Sequence, residues 1–117
     1  MGKHFRLTAE EIKLLVPGYG SCLASDRITV DGMPVGYMYR EAPHSEWDAD
    51  SGWRFFAGDE SQAYSDDASN FALYHVNTIA NYDPTIIPLL SAPEGSAYGR
   101  DDNGHWLQED PPVDPDS

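Results

Sequence analysis

The sequence predicts an α+β domain: a mainly antiparallel β-sheet with an N-terminal helix and short helices packed on it. Three observations lead there. Apolar residues recur with a period of two over several short stretches, as half-buried strands require. Turn signals such as Asp31-Gly32 separate those stretches. The first half has no helical stretch between strands that would serve as the crossover of a doubly wound parallel sheet. The length, 117 residues, allows one domain and little more. We assign residues 1–108 to that domain. Residues 109–117, EDPPVDPDS, form an acidic, proline-rich tail that cannot build a core and is expected to be disordered.

At the N-terminus, Thr8-Ala-Glu-Glu11 has the form of a capping box, with Leu7 and Ile12 placed as its hydrophobic staple. Ile12, Leu15 and Val16 share one helical face, and Pro17-Gly18 stops the pattern, so a helix is expected over 8–16. The period then changes to two. Cys22, Ala24, Ile28 and Val30 alternate with polar residues, interrupted at Asp26, and Val35, Tyr37 and Tyr39 come after Asp31-Gly32. This reads as a β-hairpin over 21–41, with Pro34 confined to an edge or the turn. Glycines bracket a third strand, 52–58, with Trp53, Phe55 and Ala57 on one side and Arg54 and Phe56 on the other. Residues 71–76 read as a fourth strand, a helix being the alternative. A short helix is expected over 77–82. Asp83-Pro84 suits a cap with proline at the first helical position, and Pro88 limits the segment 84–90 to a turn or two. Weak strands flank the turn signal at 101–104.

Composition excludes several classes. Cys22 is the single cysteine, so no intrachain disulfide forms, which fits a reducing compartment. No apolar run approaches the roughly 20 residues of a membrane span, and no signal peptide is visible. The net charge is −13. Residues 1–40 hold five bases and four acids, whereas 41–117 hold sixteen acids and only Arg54 and Arg100 as bases. That field repels nucleic acid and anionic membranes and attracts a basic protein.

Chemical motifs are weak. His4, His44, His75 and His105 have no metal-ligand spacing, so no metal or other cofactor is expected. Cys22 with His75 as base would be a nucleophile pair, but a lone cysteine on an apolar strand face is more often core. Asp48-Ala-Asp50-Ser-Gly52 begins like a calcium loop and lacks its later glutamate. So many carboxylates are present that no acid–base pair stands out, and no enzyme activity is expected. Two acidic loops, 42–51 and 59–70, flank the third strand instead. They carry Trp47 and Tyr64, and loop aromatics beside acids have the composition of an interface anchor and its rim. The candidate partner-binding residues are Trp47, Asp48, Asp50, Arg54, Phe56, Asp59, Glu60, Tyr64, Asp66 and Asp67.

Four runs carry a resemblance: Ser25-Asp26-Arg27, 35–40 (VGYMYR), 50–60 (DSGWRFFAGDE) and 77–84 (NTIANYDP). They resemble a family of small bacterial proteins first catalogued as a domain of unknown function and later assigned to the immunity proteins of polymorphic toxin systems, type thirty-three. The likeness covers roughly residues 20–107. It implies a cytoplasmic, non-catalytic protein that binds a cognate toxin domain and blocks it. With the acidic charge, the toxin is expected to be basic, a nuclease being one such case. The matching positions Trp53, Arg54, Gly58, Asp59, Asn77 and Asp83 are of types that suit structural duties. The alternative is a stand-alone regulatory or scaffold module with another ligand. Nothing in the residues speaks to oligomeric state.

Overall fold

The structure, a computed structural model, describes residues 4–46 and 49–110. Strand β1, Ser21–Ser25, alternates as expected, with Cys22 and Ala24 buried. The hairpin expected over 21–41 does not form. The Ser25 hydroxyl accepts from the Arg27 N–H at 3.1 Å and starts a one-turn helix, α1, Asp26–Thr29. Gly32, at φ +78, then terminates that turn, its N–H donating to the Ile28 carbonyl at 3.1 Å. The glycine supplies the left-handed conformation that its motif promised, but as a helix end and not as a hairpin turn. Ile28 and Thr29 are buried by this arrangement. The chain reaches β2, Tyr37–Arg40, only after crossing one strand position.

Strand β3, Asp50–Phe56, fills that position. The sheet order is β4-β1-β3-β2-β5-β6, where β4 is Phe71–His75, β5 Ala97–Arg100 and β6 Trp106–Glu109. Neighbours β1 and β3 are parallel and every other neighbouring pair is antiparallel. The fold is therefore α+β with a mostly antiparallel sheet.

The longer helical segments lie on one side. Helix α3, Val76–Tyr82, and the 3-10 turn Pro84–Leu89 pack Val76, Ile79, Ala80, Ile86 and Leu90 against Cys22, Ala24, Met38, Trp53 and Phe55. Each of these residues is fully buried, and burying a large apolar side chain stabilises by about 1.5–3 kcal/mol. Trp53 satisfies its indole N–H on the Leu90 carbonyl at 3.2 Å. Val35 belongs to this core as well and does not share a face with Tyr37 and Tyr39. A second one-turn helix, α2, Gln62–Ser65, lies in the loop before β4.

The N-terminal helix expected over 8–16 is also absent. Glu11 does reach back, accepting from the Thr8 N–H at 3.0 Å, but helical structure covers only Ala9–Glu11. Tertiary partners replace the helical bonds beyond it. Asn77 Oδ1 accepts from the Leu15 and Val16 N–H groups at 2.7 and 3.0 Å, and Asn81 Oδ1 from Lys13 at 2.9 Å. Both amide nitrogens donate back to the Lys13 carbonyl, at 2.9 and 2.8 Å. A nine-residue helix is marginal in water, so this clamp prevails. Tyr82 adds a further tie, accepting from the Leu7 N–H and donating to the Thr29 carbonyl, each at 3.0 Å. Replacing Asn77 by Ala removes three bonds from the clamp and is expected to cost about 1–2 kcal/mol. Urea unfolding checks the magnitude, and faster hydrogen exchange at Leu15 and Val16 checks the cause. Unchanged exchange at those amides would refute the clamp.

Candidate binding face

The opposite side of the sheet carries no long helix. Register defines what it presents. Tyr37 pairs with Phe56, Tyr39 with Arg54, Leu23 with Arg54 and Leu73, and Ser25 with Phe71, so these side chains share one face. Gly99 and Leu107 extend it through β5 and β6. Five rings run in contact across it: Tyr39, Tyr37, Phe56, Phe71 and Tyr64, with neighbouring centroids 5.7–6.1 Å apart. Leu73 and Leu107, toward the two edges, are 47% and 51% exposed. Aromatics and leucines on a sheet face that no long helix covers are the usual composition of an interaction surface.

Arg54 points to this side of the sheet by register but is covered there, at 2% exposure. Its guanidinium grips Asp50 bidentately, at 2.9 and 2.8 Å, and its Nε donates to Glu41 at 2.7 Å. A bulge makes this possible. Between the pairs Ser21–Asp50 and Leu23–Arg54, β1 advances by two residues and β3 by four. Gly52 stands in the bulge at φ +88, and a side chain there would overlap the Glu41 carbonyl oxygen. Burial alone would raise the Asp50 pKa. Arg54 and the N–H groups of His44 and Gly52 outweigh it and hold the carboxyl at about 2.

Of the other sequence-predicted residues, Trp47 and Asp48 lie outside the described residues. Phe56 sits at the centre of the ring row, and Tyr64 ends it against Phe71. Asp59 pairs with Arg27, through Nε at 3.1 Å, joining the 50–60 run to Ser25-Asp26-Arg27. Glu60 accepts from the N–H groups of Ala57 and Gly58 at 2.8 and 2.9 Å and so shapes the turn after β3. Asp66 accepts from Gln62 at 2.8 Å, and Asp67 caps the turn Ala68–Asn70 through the Ser69 N–H at 3.0 Å. Of the ten candidates, Phe56, Glu60 and Tyr64 meet at one face, while Asp50 and Arg54 support it from below. Sequence reasoning missed Tyr37, Tyr39, Phe71 and Glu109 as members of that face. The alternation of tyrosines in 35–40 was visible, but which side it faced was not.

Cys22 is fully buried in the core, and burial pushes its thiol pKa far up. His75 pairs with Ser21 and so faces the other side of the sheet from Cys22. Among the described residues no group of three His, Cys, Asp or Glu side chains is placed to hold a metal ion, and no helix is long and apolar enough to cross a membrane.

Buried polar ties thus hold a frame that presents an aromatic sheet face, free of long helices, with carboxylates beside it. The sequence pattern of the immunity protein Imm33 domain matches residues 22–110, and the chain belongs to that family. No curated protein and no solved structure matches it.

Proposed function

We propose that this protein is a bacterial cytoplasmic immunity protein that neutralises a cognate toxin by seating its aromatic sheet face on the toxin and occluding it, with no catalysis of its own. The observation that carries this reading is the row of five rings on a face that the longer helical segments leave open. Tyrosine and phenylalanine bury much area for little rotamer entropy and recur as interface anchors. The surrounding acids suit a basic toxin surface, such as that of a nuclease, and speed the encounter. Membership of an immunity family supplies the class of partner.

The test uses the toxin encoded beside this gene. Tyr39→Ala and Phe56→Ala are each expected to weaken toxin binding by at least about thirtyfold, the effect of losing an anchor. Both are expected to abolish protection of co-expressing cells while circular dichroism stays native. Toxin affinity unchanged in both variants would sink the proposal, as would failure to bind any neighbouring toxin.

A further inference from the structure

Beside Phe56 the open face sinks into a pocket of about 420 Å³. Its walls include two aromatic rings, Tyr37 and Phe56, and two acids, Glu60 and Glu109. Gly99 lies on the floor, where a side chain would overlap the Glu109 carboxylate, so the absence of a Cβ makes room for that group. One base, Arg100, also borders the pocket. Its guanidinium is directed elsewhere, to Asp83 at 2.6 Å and over the Trp106 ring at 4.4 Å. Among the described residues no base pairs with Glu109. Its charge reaches Tyr37, whose hydroxyl is held above its ordinary pKa by burial first and by Glu109 second. A second hollow adjoins the first through the shared residues Phe56 and Ser65, and it is walled by Leu23, Phe71 and Ala68.

We infer that the first pocket receives one arginine side chain of the toxin, and that an apolar toxin side chain beside it fills the second hollow. This rests on the toxin-binding reading and names the chemistry at its centre. Two carboxylates that no described base neutralises favour a cation. Flat rings on the same walls favour a planar guanidinium, which stacks, over a compact ammonium. The apolar hollow sets the neighbour: the toxin segment presents a basic and an apolar residue side by side, and each wall of Phe56 meets one of them.

Two measurements test this. In the first, the 15N-labelled full chain is titrated with N-acetyl-arginine amide and with the neutral N-acetyl-citrulline amide. The arginine probe is expected to shift the amide signals of Gly36, Gly58 and Gly99 at millimolar concentration, and the citrulline probe is not. Glu109→Gln, a change at an exposed position that is expected to leave the circular dichroism native, is expected to weaken the arginine probe about tenfold, the effect of one charge-assisted bond. In the second, Glu109→Gln is expected to weaken the neighbouring toxin by a similar factor. Equal responses to both probes, shifts confined to other acidic turns, or a toxin affinity indifferent to Glu109→Gln would each overturn the inference. If Phe56→Ala weakens the toxin while the arginine probe fails, the pocket falls and the face stands. If the toxin ignores Tyr39→Ala and Phe56→Ala, the toxin-binding reading itself falls.

Discussion

Arg54→Met is expected to destabilise the protein by about 3–5 kcal/mol, the cost of stripping one partner from a buried ion pair. The substitution keeps much of the volume and removes the charge. Asp50 stays behind, buried, with the backbone N–H groups of His44 and Gly52 as its remaining donors among the described residues. Arg54→Lys keeps the charge but not the fork that meets both Asp50 oxygens, so an intermediate loss is expected. Urea unfolding at neutral pH reads the effect, and a loss under about 1 kcal/mol for Arg54→Met would show that the pair is dispensable. Acid titration supplies a second readout. The folded Asp50 pKa of about 2 lies below the ordinary 3.8, so its contribution is present above 3.8 and is lost as pH falls through 2. A difference of that size is worth about 2 kcal/mol at about 1.36 kcal/mol per pKa unit. Arg54→Met is expected to remove that part of the acid slope. An identical slope in the variant would mean that other carboxylates govern acid unfolding.

Asp83→Ala is expected to cost about 2–4 kcal/mol, because one carboxylate joins three segments. It accepts from the Thr85 N–H at 3.1 Å and caps the turn Pro84–Leu89. It also accepts from the buried Val35 N–H at 3.0 Å and pairs with Arg100 at 2.6 Å. Alanine leaves the Val35 N–H without an acceptor inside the core. It also removes the ion pair from Arg100, which keeps Thr85 as an acceptor and lies over Trp106, linking β5 to β6. Asp83→Asn keeps an acceptor for the cap and is expected to lose less. Adding Arg100→Met to Asp83→Ala is expected to cost less than the sum of the two single changes, because they share one interaction. Strict additivity in that cycle would refute the coupling.

The runs that mark the family build the frame more than the face. Asn77 and Asn81 hold the N-terminal segment, and Asp83 pins the loop before β2. Arg27 and Asp59 join two runs, and Arg54 with Asp50 locks the β3 bulge. The aromatic face takes only part of its residues from them: Tyr37, Tyr39 and Phe56 belong to the marked runs, while Leu23, Phe71 and Glu109 do not. Of these runs the sequence announced the duty of Asp83 as a cap, whereas Asp50, Arg54 and Asp59, expected at a partner, turn out to be tied within the frame. Tertiary partners stayed hidden, since Asn77 bonds a segment sixty-two residues away in sequence. The hairpin and the N-terminal helix, both expected and both absent, share one cause. Asp31-Gly32 marks a positive-φ glycine and Thr8–Glu11 a helix start, and both signals hold as local chemistry. Neither reaches further, because local signals do not record which strand lies alongside or which side chain takes a free N–H.

By itself the sequence determined the α+β class, that strands start at 21 and 71 and run through Trp53–Phe56, though not their bounds, the burial of Trp53 and Phe55, the cap at Asp83 and the concentration of acid after residue 40. These come from periodicity, caps and charge, which act over a few neighbouring residues. Only the tertiary structure decided that β3 inserts between β1 and β2, that Arg54 is buried, and that Tyr37, Phe56, Glu60 and Glu109 meet at one pocket. Those outcomes depend on strand order and on which face the helices cover. Both are settled by burying the largest apolar area at once, a property of the whole chain that no local window contains.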